Sequence, residues 1–101
     1  MAQQPNQSPQ GGTELIHAGF GNFIAINRVV AIVTPGSAPI QRLIRDAKKK
    51  ANIIDQTSGR RTKAAVFTDT GQIILLAITP EAVAGRVSAA RAGRIAQAQA
   101  D

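Results

Sequence analysis

Thr57-Ser58-Gly59-Arg60-Arg61-Thr62-Lys63 places two adjacent arginines and a lysine on a turn pinned by a glycine. Gly59 is expected to supply a backbone angle that other residues resist, with Asp55 and Ser58 satisfying turn amides. Planar guanidinium groups suit a forked contact with phosphate oxygens better than an ammonium does. The chemistry on offer is electrostatic: the presentation of cations to a polyanion. Covalent chemistry finds no such grouping. Six acidic residues are scattered singly, His17 is the single histidine, and there is no cysteine. That composition supplies no acid/base pair, no nucleophile elbow and no transition-metal ligand set, so neither an enzyme nor a bound cofactor is expected. Gly19-Phe20-Gly21-Asn22 completes neither the dinucleotide fingerprint nor the Walker pattern and reads as a bulge or tight turn.

The charge distribution supports the same reading. The formal net charge is +6. Residues 42–63 carry Arg42, Arg45, Lys48, Lys49, Lys50, Arg60, Arg61 and Lys63 against Asp46 and Asp55, which accounts for all of it. Such a block is the footprint of nucleic acid or an anionic surface. The lysine run has an ordinary alternative, a solvated helix end that suits the helix dipole. Arg28, alone in an apolar stretch, is either an edge arginine or a ligand contact.

The elements that must position these residues can be read in order. Thr13–Phe20 reads as a short strand. Phe23–Thr34 is rich in β-branched residues and reads as strand, interrupted at Asn27-Arg28 by a hairpin tip or bulge. Thr34-Pro35-Gly36-Ser37 is predicted to be a type II turn, with Ser37 capping a helix over Ala38–Ala51. Ile40, Leu43, Ile44, Ala47 and Ala51 form that helix's apolar stripe, and Asp46 can pair with Lys50. Asn52 is its predicted stop. Lys63–Thr68 and Gln72–Thr79 flank Asp69-Thr70-Gly71, a hairpin with glycine at the loop end. The second of these strands is apolar on both sides, so both its faces are expected to be covered. Thr79-Pro80-Glu81 opens a second helix with its stripe at Val83, Val87 and Ala90. Phe20, Phe23 and Phe67 all lie in apolar stretches and are read as core. Without exposed aromatic platforms, duplex DNA is favoured over single strands or sequence-read RNA.

Residues 1–12 are polar, uncharged and rich in Pro, Gly and Gln, and are expected to be a disordered tail rather than a signal peptide. Residues 13–90 are the expected domain, and 91–101 an Ala/Gln-rich extension. No apolar run is long enough to span a membrane. A domain this small, without disulfides, is expected to gain stability by oligomerising.

Four short motifs in order resemble the RemA family of bacterial extracellular-matrix regulators: Ile16-His17-Ala18-Gly19-Phe20-Gly21-Asn22, Asn27-Arg28, Ser37-Ala38-Pro39-Ile40 with Arg42, and Ile54-Asp55 through Gly59-Arg60-Arg61-Thr62. The likeness continues from Ala64 to Val87, through Thr79-Pro80-Glu81-Ala82-Val83-Ala84. It implies a small α+β protein with a mostly antiparallel sheet, a central helix and a C-terminal helix, assembling into a ring-like homo-oligomer. It also implies a cytoplasmic, nucleoid-associated transcriptional regulator that binds duplex DNA, with activation of biofilm-matrix genes in some bacilli. The family's DNA-contacting arginines correspond to Arg28, Arg60 and Arg61, and the adjacent Lys63 is added from its position beside the turn. Pro39 matches a proline that looks structural. His17, Gln41 and Ser58 depart from the family pattern. The other reading of the same charge is an RNA-binding or ribosome-associated basic protein. Neither a membrane nor a small-molecule substrate is expected as a partner.

Overall fold

The computed structural model describes residues 14–100, so the expected tail at 1–12 lies outside the described residues. The order is β1 (Leu15–Gly19), β2 (Asn22–Ala25), a 3-10 turn (Ile26–Arg28), β3 (Val29–Val33), α1 (Ala38–Lys49), β4 (Ile53–Gln56), β5 (Ala64–Thr68), β6 (Ile73–Leu76) and α2 (Pro80–Ala100). The α+β class is as expected. The strands form two sheets: an antiparallel pair β1-β2, and a four-stranded sheet in the order β3-β5-β6-β4. In the larger sheet β5 pairs antiparallel with β3 and β6, whereas β4 runs parallel to β6. That parallel edge strand was not expected from the sequence. Ile53–Gln56 is short and polar at its end, and its pairing depends on α1 carrying the chain across the sheet.

Period-two alternation divides the core. Ala64, Val66, Ile74 and Leu76 face Ile16, Ala18 and Ile24 of the small hairpin and Val83 of α2. Ala65, Ile73 and Leu75 face Ile44 and Ala47 of α1. The molecule is therefore layered, with α1 on one face of the larger sheet and the hairpin plus α2 on the other. This arrangement explains why Ile73–Leu76 is apolar on both sides: all four residues are buried.

Helix boundaries follow local chemistry. The Ser37 hydroxyl accepts from the Ile40 N–H, and the Thr79 hydroxyl accepts from the Ala82 N–H, as capping requires. The chain turns at Pro35-Gly36, but Gly36 lacks the positive φ of a type II turn. The Pro35 carbonyl, whose direction separates the turn types, accepts from the Gln41 side-chain amide. Helix α1 stops at Lys49, and Ala51 lies outside it at φ 58. Asn52 N–H donates to Ala47 O at 2.8 Å and Ala51 N–H to Lys48 O at 3.2 Å, the Schellman pattern with alanine where glycine is usual. Ala51 thus leaves the apolar stripe, and Leu43, at the edge of the stripe, stays exposed. The expected Asp46–Lys50 ion pair is not formed; the Lys50 backbone closes the helix end instead.

Asn27-Arg28 is neither hairpin tip nor bulge. It lies in the 3-10 turn by which the chain leaves the small sheet for the large one. At Asp69-Thr70-Gly71 the expected hairpin forms, with Gly71 N–H donating to Thr68 O at 3.1 Å. No helix among the described residues is long and apolar enough to cross a membrane.

Candidate nucleic-acid interface

The turn at 57–60 is built by a small set of bonds. Asp55 Oδ1 accepts from the Thr57 N–H at 2.9 Å and from the Thr57 hydroxyl at 2.7 Å. Thr57 is buried, so this carboxylate anchors the turn to the body of the domain. The same two bonds, aided by the positive charge of Lys48, hold the Asp55 carboxyl below its ordinary value. Arg60 N–H then donates to Thr57 O at 3.0 Å. Between them Ser58 and Gly59 have φ of 54 and 78. Two consecutive positive values mark a turn of the I′ kind, which glycine enters freely and serine does not. Gly59 therefore plays its expected part. Ser58 contributes backbone conformation rather than a side-chain cap.

A second turn lies against the first. The Asn22 side-chain amide donates to Gly19 O at 3.1 Å and to Gln56 O at 3.0 Å, joining the β1-β2 hairpin tip to the end of β4. Gly19 is required there: at φ 93, a Cβ would meet Ile78 Cγ2 at 2.8 Å. The tip carries Phe20, and the Arg60 guanidinium carbon sits 3.8 Å from the centre of its ring. This corrects the reading of the aromatics. Phe20 is 47% and Phe23 55% exposed, and only Phe67 packs against the core. The small hairpin is covered on one face alone; Ile16, Ala18 and Ile24 point inward, which turns His17 and Phe23 out together. With Leu15 and Phe23 sharing the outward face with His17, hydrophobicity alone does not separate the two faces of this hairpin.

Arg60, Arg61 and Lys63 are all exposed and converge on the stretch that enters β5. Arg28 does not join them. Val29 pairs with Thr68, so Arg28 lies at the far end of β5, where its Nε donates to both Asp69 carboxylate oxygens at 2.9 and 3.1 Å. At about 3.3 Å per residue, the two ends of β5 from which these groups extend are ~13 Å apart along the backbone. Both bonds use Nε, and the Arg28 side chain stays about half exposed. Arg42, Arg45, Lys48, Lys49 and Lys50 form a further exposed row on and just beyond α1. The chain therefore displays a cationic turn at one end of the sheet and a partly neutralised arginine at the other. Sequence reading missed the Phe20 platform and the Asn22 link. The adjacency of Phe20 to two glycines was the available signal for a turn, not for its contact with Arg60. Among the described residues no cluster of His, Asp and Glu could hold a metal.

Comparison with known proteins places this geometry in context. A protein of Dehalococcoides mccartyi strain 195, carrying the name "Putative regulatory protein DET0036", is 52% identical over 82 residues, covering 81% of this chain and 85% of that one. One of the same general name from Synechococcus sp. strain JA-2-3B'a(2-13) is 56% identical over 81 residues, covering 80% and 91%. Another from Trichormus variabilis is 58% identical over 73 residues, covering 72% and 83%. Residues 15–87, from the first strand into the second helix and including both turns, match the RemA-like family, described as extracellular matrix regulatory protein A-like. The chain belongs to the RemA-like family.

Proposed function

We propose that this protein is a transcriptional regulator that binds duplex DNA through Arg60 and Arg61, supported by Lys63 and Arg28, with the sites arrayed on a closed homo-oligomer. The observation that carries this reading is the Asp55-anchored, glycine-dependent turn, which holds two adjacent arginines out of the fold. Neither guanidinium is ion-paired among the described residues. Family membership and the regulatory names of the relatives agree with it. The partner sets the place of action, the bacterial nucleoid. Promoters of matrix genes, the family's namesake, are the first duplexes to titrate.

Oligomerisation follows from number. Arg60, Arg61 and Lys63 neutralise about three phosphates, a log–log salt slope of about −3 and a weak complex for one protomer. Repetition of the turn multiplies the contacts and places Arg28 of one copy within reach of the same duplex as Arg60 and Arg61 of another. The exposed apolar residues Leu15, Phe23 and Val30 offer surface for such an assembly, and β3 and β4 are the sheet's two edges.

Titration of duplex DNA against the double variant Arg60→Ala, Arg61→Ala tests the reading. Binding is expected to be lost while the oligomer mass is retained; wild-type affinity at moderate salt would overturn it. The exposure of Phe20 and Phe23 favours a second reading, RNA binding, because exposed rings can stack on unpaired bases. Competition among duplex DNA, duplex RNA and single strands separates the two.

A further inference from the structure

Phe20 is not explained by the core. It is 47% exposed, belongs to neither buried cluster, and has φ 55, a conformation that a bulky side chain adopts only under strain. Its neighbours Gly19 and Gly21 have φ 93 and 79. A third glycine would fit the turn without strain, yet the chain places a phenyl ring there. That ring contacts the Arg60 guanidinium at 3.8 Å. The turns bearing the two side chains are tied together by Asn22, through Gly19 O and Gln56 O, so the stacking partners sit on a common support.

We propose that Phe20 is a positioning residue for Arg60: the ring fixes the plane of the guanidinium and presents its N–H edge as a preset fork to a phosphodiester oxygen. The inference rests on the phosphate-binding reading of Arg60. A free arginine loses rotamer freedom when it engages a ligand, whereas one already stacked on a ring loses less. The ring therefore raises affinity without adding a contact of its own. The energy of an exposed cation–π pair corresponds to about a 2–5-fold change in affinity.

The test is a double-mutant cycle on the full chain, reading duplex-DNA affinity and its salt slope for wild type, Phe20→Leu, Arg60→Ala and the combination. Phe20→Leu keeps apolar bulk but removes the π face. It is expected to weaken binding about 2–5-fold with an unchanged slope, and to have no further effect once Arg60 is alanine. Phe20→Tyr is expected to restore affinity. Phe20→Gly is expected to raise the thermal midpoint by removing the strained φ while weakening DNA binding. Equal weakening by Phe20→Leu with and without Arg60 would overturn the proposal, since the ring would then touch DNA or prop the turn by itself. Wild-type affinity in Phe20→Leu would overturn it as well. Failure of the underlying reading shows separately, as an Arg60→Ala protein that binds DNA with unchanged affinity and slope.

Discussion

Asp55 shows how one carboxylate prepares a cationic turn. Its Oδ1 takes both donors of Thr57, and these bonds favour its ionised form. A carboxyl held below its ordinary value stabilises the fold fully above the unfolded value, and that contribution is lost as pH falls through the folded one. The window is therefore acidic, at about pH 4 and below. Asp55→Asn is expected to cost about 0.5–1 kcal/mol at neutral pH, a modest figure because the group is exposed. It should also flatten the acid limb of the stability curve, as measured by urea midpoints from pH 3 to 7. The need for an acceptor in this turn was legible from Asp55 in the sequence. Its partner was not, because Thr57 becomes a buried donor only when the end of β4 meets β6.

At the scale of elements, the two turns that form the candidate site belong to different sheets, and Asn22 is the link between them. Helix α1 delivers the chain to β4 and ends in an alanine-bearing Schellman motif. Ala51 at φ 58 carries a cost that glycine does not. Ala51→Gly is expected to stabilise the protein by about 0.5–1 kcal/mol, read as a higher denaturant midpoint at unchanged m-value, with DNA affinity unaffected. The caps at Ser37 and Thr79, the glycine-ended hairpin at Gly71 and the buried strand Ile73–Leu76 were all legible, because each rests on local chemistry or on a pattern two residues long. The parallel pairing of β4 was not. Four residues carry too little pattern to announce a strand whose partner lies twenty positions further on.

For the whole molecule, the separation of Arg28 from Arg60 and Arg61 changes what an assembly must do. A single copy does not gather the three arginines at one point, so on the proposed reading Arg28 meets different phosphates from those met by Arg60 and Arg61. Light scattering is expected to give a discrete multiple of the 10.6 kDa chain mass at micromolar concentration. The salt slope for a long duplex is then expected to be steeper than the value of about −3 for an isolated turn. A monomer with that shallow slope would contradict the assembly.

By itself the sequence determined the α+β class, the family, the location of the whole net charge in residues 42–63, and the glycine-dependent arginine turn. Composition, caps and short motifs act through near neighbours, and their information is written locally. Tertiary structure alone decided which apolar residues face outward, where the parallel strand lies, and which side chains meet. Phe20 and Arg60 are forty residues apart in the chain and 3.8 Å apart in space. Their meeting depends on the hairpin laying one face on the sheet and on Asn22 joining its tip to β4. Such contacts depend on packing between elements, which no single stretch of sequence encodes.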